Sequence, residues 1–193
     1  MKTDIIIAGV GGQGILSIAA VIGIAAIKNE LFLKQAEVHD MSQRGGMVQS
    51  NLRISDKKIA SDLIPKGTAD IILSVEPMES LRYLPYLAEN GWVVTNTKPY
   101  NNIPDYPDFN TLMEQIQALP NYITIDANEI ASNIGSPRSS NMVVLGAGAP
   151  FIDIPLESFE EGIRDIFKRK GDKVVNLNLK ALLAGREFTE KNT

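Results

Sequence analysis

A run of isoleucines leads straight into a glycine-rich turn, and that junction narrows the folds open to this chain more than any other feature. Residues 4–8 (DIIIA) form a short, β-branched, continuously apolar stretch, which reads as a strand buried on both faces. Gly9-Val10-Gly11-Gly12-Gln13-Gly14 follows and satisfies G-x-G-x-x-G. Residues 15–28 are then apolar nearly all round, as in a helix buried on most sides. Strand, glycine turn and helix in that order open a doubly wound α/β domain. The predicted fold class is therefore α/β, with a three-layer, Rossmann-like open sheet.

The rest of the chain fits that plan with one modification. A second strand is predicted near residues 32–38, ending before His39, followed by a polar loop through Met41, Ser42, Gln43, Arg44, Gly45 and Gly46. Residues 47–54 alternate as a strand does. Ser55, Asp56 and Lys57 read as a turn, and residues 58–60 as a returning strand. So short a connection permits only an antiparallel hairpin, so the sheet is expected to be mixed, mostly parallel with one antiparallel hairpin. Residues 71–75 read as a buried strand. Pro77 suits a first helical turn and Pro85 should end that helix. A strand at 92–95 follows an Asn90-Gly91 turn. Residues 101–108 read as a surface loop, 111–119 as helix and 122–125 as the last central strand. Residues 141–145 should open a helix. Phe159, Ile163 and Phe167 share helical spacing within 155–168. Residues 176–185 read as a short final helix with Gly185 as its stop signal. With no repeat and no linker, residues 1–193 are expected to form a single domain.

Composition removes several classes of function. The chain has 193 residues, 44% hydrophobic and 22% charged, and a formal net charge of −4. That balance is ordinary for a globular domain and leaves no electrostatic footprint for nucleic acid or an anionic membrane. Residues 15–27 fall short of the roughly 20 a spanning helix needs. Asp4 interrupts what would be the n-region of a signal peptide, so a cytoplasmic protein is expected. There is no cysteine and one histidine. Disulfides are thereby excluded, thiolate ligands for iron–sulfur clusters are missing, and no metal site is expected.

The chemistry-bearing candidates gather on two loops. Gly9, Gly11, Gly12, Gln13 and Gly14 allow close backbone approach to a ligand, and the start of the following helix offers unpaired N–H groups to an anion. The same glycines also serve tight strand–helix packing or the approach of a partner chain. Glu37 and Asp40 are candidates for the acidic residue that a dinucleotide site places after its second strand. Ser42, Gln43 and Arg44 present polar donors together, and Arg44 is able to grip a phosphate or carboxylate in a bidentate fashion or to pair with Asp40. If strands one and two run parallel, both loops leave the sheet on one rim, where ligands of open α/β sheets collect. Glu76, Asn96 and Asp126 end later strands and either join that rim or cap helices. His39 is a candidate acid or base, or a hydrogen-bonded structural residue.

Taken together, GVGGQGIL (9–16), EVHDMSQRGG (37–46), EPMESLRYL (76–84) and NLNLKALLAG (176–185) resemble the gamma-type subunit of 2-oxoacid:ferredoxin oxidoreductases along nearly the whole chain. His39 with Ser42-Gln43-Arg44, and the Ile64-Pro65-Lys66-Gly67 turn, resemble the indolepyruvate branch of that family most. The resemblance implies a subunit inactive alone, within an enzyme that oxidatively decarboxylates an aryl 2-oxoacid, uses coenzyme A and reduces ferredoxin. It places thiamine diphosphate and iron–sulfur clusters on a larger partner subunit, with no cofactor held tightly on this chain. It implies that Gly11, Gly12, Gln13, Ser42, Gln43 and Arg44 help close the coenzyme A region. Two other readings remain open: a free-standing nicotinamide- or flavin-nucleotide oxidoreductase, and a non-enzymatic module of the same fold.

Overall fold

The computed structural model describes residues 1–40, 45–101 and 103–193. β1 (Lys2–Val10) lies inside a six-stranded sheet with β2 (Phe32–His39), β3 (Met47–Ser55), β4 (Ala69–Ser74), β5 (Leu87–Asn96) and β6 (Tyr122–Ile125). The spatial order is β2-β3-β1-β4-β5-β6. β1, β4, β5 and β6 are mutually parallel, while β3 runs antiparallel to both its neighbours, β1 and β2.

This arrangement follows from side-chain periodicity. Successive β1 residues point to opposite faces, so Ile5 and Ile7 enter the larger core while Ile6 and Ala8 enter a smaller one. The crowded face carries α1 (Ile15–Lys28) and α5 (Ser140–Gly148), with α6 (Leu156–Phe167) backing α1 and α7 (Asp172–Asn192) backing α5. α5 is apolar all round and every residue from Asn141 to Gly148 is buried, because it lies between sheet and α7. The opposite face carries α2 (Pro77–Arg82) and α3 (Phe109–Gln117) over Ile72, Val93 and Tyr83. Burial of Tyr83 pushes its phenol up to about 12. α4 (Ala127–Asn133) follows β6. No described helix is long and apolar enough to cross a membrane.

Four expectations need correction. The antiparallel hairpin is β2–β3, closed by the loop before Gly46; residues 58–60 form no strand, and β3 spends its two edges on β1 and β2. β2 itself continues through His39. Asn90-Gly91 lies within β5, where the pairing slips from Ala69–Leu87 to Ile71–Trp92 and the surplus residues bulge. The final helix is α7, which begins at Asp172 and passes through Gly185 without stopping. α4 carries no strong apolar stripe and was not anticipated; only Ala127 and Ala131 are buried along it.

Candidate functional site

The rim of the sheet is built from the end of β1 outward. After Val10 the backbone reverses through Gly12 (φ 99°) and Gly14 (φ 84°), left-handed conformations that side chains beyond glycine rarely adopt. Gln13 locks the reversal from within. Its amide oxygen accepts the Val10 N–H at 2.7 Å, and its own N–H donates to the Val10 carbonyl at 3.1 Å. Gln13 is thus a structural staple of the turn. Gly9 lies inside β1, where a Cβ would stand 2.3 Å from Val75 Cγ2, so its lack of a side chain serves packing. Asn141 reaches across from α5 and donates to the Gly14 carbonyl at 3.1 Å. No local signal marks Asn141, because its partner is 127 positions away.

β2 runs in the same direction as β1 with β3 between them. The β2–β3 loop therefore sits at the same rim as the glycine turn. The Gly11 N–H donates to the Gly46 carbonyl at 2.8 Å and joins the two bends directly. Between them lies a cleft of about 540 Å³. Gly11, Gly12, Glu37, His39 and Asp40 line it, together with the apolar side chains of Val10, Ile15, Leu16 and Val48. Leu16 is 52% exposed there, on a helix whose other faces are mostly buried. His39 is exposed, with Nδ1 3.3 Å from the Asp40 backbone oxygen. Register puts Glu37 opposite Ser50 and His39 opposite Val48, so both stand on one face of β2. Ser42, Gln43 and Arg44 lie outside the described residues. Among the described residues, no group of three or more His, Asp or Glu is placed to hold a metal ion.

The later strand ends do structural work away from the cleft. Asp126 caps α4 by accepting the Glu129 N–H at 2.8 Å. Asn96 donates to the Val75 carbonyl and to Asn128 Oδ1, and accepts the Ala127 N–H. Glu76 is fully buried and caps α2 through the Glu79 N–H at 2.9 Å. It also accepts the Tyr100 N–H and the Tyr106 hydroxyl, pinning the loop after β5 to the sheet. Burial raises the Glu76 carboxyl above its ordinary 4.5, against the lowering effect of those hydrogen bonds. Burial and Glu76 together push the Tyr106 phenol upward. A carboxyl that holds its proton more tightly when folded makes the native state bind more protons than the unfolded one. Its contribution to stability then falls as pH rises from about 4.5 through the raised native value. The thermal midpoint of Glu76→Gln, followed from pH 4 upward, should lack that decline relative to the unmodified chain.

Comparison with known proteins places this geometry in context. The family described as Pyruvate ferredoxin/flavodoxin oxidoreductase matches residues 4–188. Indolepyruvate oxidoreductase subunit IorB of Archaeoglobus fulgidus is 38% identical over 196 aligned residues, covering 96% of this chain and 94% of that protein. The subunit of the same name from Methanothermobacter thermautotrophicus is 35% identical, covering 96% of each. Among solved structures, the 2-oxoglutarate:ferredoxin oxidoreductase from Magnetococcus marinus, with 2-oxoglutarate, coenzyme A and succinyl-CoA bound, superposes with a TM-score of 0.79 at 24% identity. That match covers all of this chain and 32% of the longer one, and it bears on the fold alone.

Proposed function

Because this chain belongs to the pyruvate ferredoxin/flavodoxin oxidoreductase family, we propose that it is the small subunit of an enzyme converting an aryl 2-oxoacid such as indolepyruvate to its acyl-coenzyme A thioester, with carbon dioxide released and ferredoxin reduced. The observation that carries this reading is the hydrogen bond between Gly11 and Gly46, which sets two bends side by side around one cleft. The residues present fit coenzyme A there. Val10, Ile15, Leu16 and Val48 suit a pantetheine arm, and among the described residues nothing stands within 4 Å of where a Cβ on Gly12 would be. Bound coenzyme A supplies the thiol that accepts the acyl group. This chain's part is to hold the cofactor against a site furnished by a larger subunit, with Ser42, Gln43 and Arg44 completing the closing surface.

The partner's role follows from what this chain lacks. Without cysteine it provides no thiolate for an iron–sulfur cluster, so the clusters on the electron path to ferredoxin belong to the companion chain, where the family resemblance also puts thiamine diphosphate. Strand order speaks against a free-standing dinucleotide enzyme. Antiparallel β3 occupies the place beside β1 where such a fold pairs its second strand.

Co-expression with the large subunit tests the proposal. The complex should show coenzyme A-dependent ferredoxin reduction that neither chain shows alone. Leu16→Glu, a surface change at the cleft, should raise the KM for coenzyme A about tenfold in the complex, because a carboxylate then faces an anionic cofactor. Arg44→Ala should do likewise. Unchanged coenzyme A dependence in both variants would count against the assignment, and tight NADH or flavin binding by the isolated chain would replace it.

A further inference from the structure

The two edges of the sheet are unlike. β6 closes one with four residues. β2 ends the other with eight, in unbroken register with β3 from Phe32 to His39. An edge of that length offers a row of backbone donors and acceptors to another chain, and proteins blunt such edges with proline, bulges or outward charge. β2 has neither proline nor bulge. Its one lysine, Lys34, is turned back to donate to the Ala60 carbonyl at 3.2 Å. Phe32 and Val38, toward its two ends, are 48% and 47% exposed. Ala20 and Ile27 of α1 are exposed beside the same edge. They lie on the helix flank next to Gly23, where a Cβ would stand 3.2 Å from Leu33 of β2.

The ladder fixes which backbone groups face outward. The Asp40 N–H donates to the Met47 carbonyl, so the even-numbered residues of β2 turn their backbone groups toward β3. Those of Leu33, Gln35, Glu37 and His39 point away from the sheet, and among the described residues nothing takes them. We propose that a second copy of this chain takes them, β2 pairing antiparallel with β2 about a two-fold axis at Gln35, so that two six-stranded sheets become one. In such a pair an outward-facing residue must oppose another outward-facing one. Four registers meet that condition over most of the strand. Centring on Lys34 sets two lysines in direct opposition, and centring on Glu37 sets two carboxylates so; like charges there are destabilising. Centring on Ala36 sets Phe32 against Asp40. Centring on Gln35 sets Phe32 against Val38 of the second copy, and does so twice, covering both exposed apolar side chains of the strand. An edge shaped for a different protein needs no such match to itself. Antiparallel pairing also puts the two glycine-turn rims at opposite ends of the joined sheet, and the assignment does not depend on what the Leu16 cleft binds.

Sedimentation velocity of the full chain over a concentration series tests the proposal, and should show a monomer–dimer equilibrium. Val38→Lys places a charge against Phe32 at two points of the interface and should weaken the dimer at least about tenfold. Gln35→Pro removes an outward N–H at the axis while sparing the ladder to β3, so it should give a monomer with unchanged far-ultraviolet circular dichroism. The register itself is read by cross-linking, because the chain has no cysteine of its own. Residues opposed in a hydrogen-bonded pair have Cα atoms about 5.5 Å apart, within disulfide range. Gln35→Cys should therefore form an intermolecular disulfide on mild oxidation. Phe32→Cys alone should not, because antiparallel copies hold the two positions about 20 Å apart. A chain that stays monomeric up to its solubility limit overturns the proposal, as does a dimer that survives Val38→Lys and Gln35→Pro, or one that cross-links through Phe32→Cys and not Gln35→Cys. A monomer whose binding to the large subunit is lost in Gln35→Pro would also overturn it, giving this edge to a strand of that subunit.

Discussion

Gly185→Ala should destabilise the protein by about 3 kcal/mol, even though alanine is the better helix former. An exposed mid-helix glycine would gain up to about 1 kcal/mol from this change. Here the sign reverses because α7 crosses α5 at backbone contact. A Cβ on Gly185 would stand 1.9 Å from the Val143 carbonyl oxygen and 2.9 Å from the Ala147 nitrogen. The contact is reciprocal: a Cβ on Gly146 would stand 1.9 Å from the Leu182 carbonyl oxygen. Neither obstacle is the end of a flexible side chain, so the helices must separate. That would loosen buried Leu145, Ala181 and Leu182 and lengthen the Thr189 hydroxyl bond to the Ala147 carbonyl, now 2.9 Å. Urea denaturation measures the loss. A neutral or stabilised Gly185→Ala chain would show that the two helices do not meet as described.

Arg53→Ala should cost a similar amount, about 3 kcal/mol, by a different route. Asp4 is 0% exposed and receives two parallel hydrogen bonds from the Arg53 guanidinium, at 2.8 and 3.0 Å. Removing the guanidinium leaves a buried carboxylate whose one remaining ion-pair partner among the described residues is Lys2, at 2.8 Å, with the Asp70 carboxylate also close by on Asp4's own N–H, at 2.7 Å. Arg53 also donates to the carbonyls of Ser61 and Leu63, so its loss releases the connection between β3 and β4. Two readouts should therefore move together: the denaturation midpoint falls, and trypsin cuts sooner at exposed Lys57 and Lys58. The double change Asp4→Asn with Arg53→Met should recover part of the stability without restoring protease resistance. A drop in stability with no change in cleavage would separate the ion pair from the loop.

How much of this was readable beforehand depends on where each signal resides. β1, the glycine turn and α1 were legible because their cues are contiguous: an isoleucine run, three glycines, an apolar helix. Pro77 and Pro85 likewise bounded α2, because proline restricts the chain locally. The pairing of β3 was not legible. Alternation in residues 47–54 identifies a strand but says nothing of which neighbour it takes, and β1 lies far away in sequence. Gly185 shows the same limit. A glycine near the end of an apolar pattern reads as a stop, and only the Val143 carbonyl across the interface reveals it as a contact surface. At the site, the glycine turn and the β2–β3 bend were placed correctly on one rim. The inward role of Gln13 and the brace from Asn141 were hidden, because each is defined by a partner and not by its own neighbours in sequence.

The tie between Gly11 and Gly46 has a consequence for assembly. The bend between β2 and β3 is anchored on one side by the Asp40 N–H on the Met47 carbonyl and on the other by the tie to the turn that starts α1. A companion chain that grips this bend therefore acts on the floor of the cleft as well. Any preference it has for one posture of the bend becomes a preference for one posture of the ligand bed. On the proposed assignment, cofactor affinity and subunit affinity are linked by one coupling energy, and each strengthens the other by the same factor.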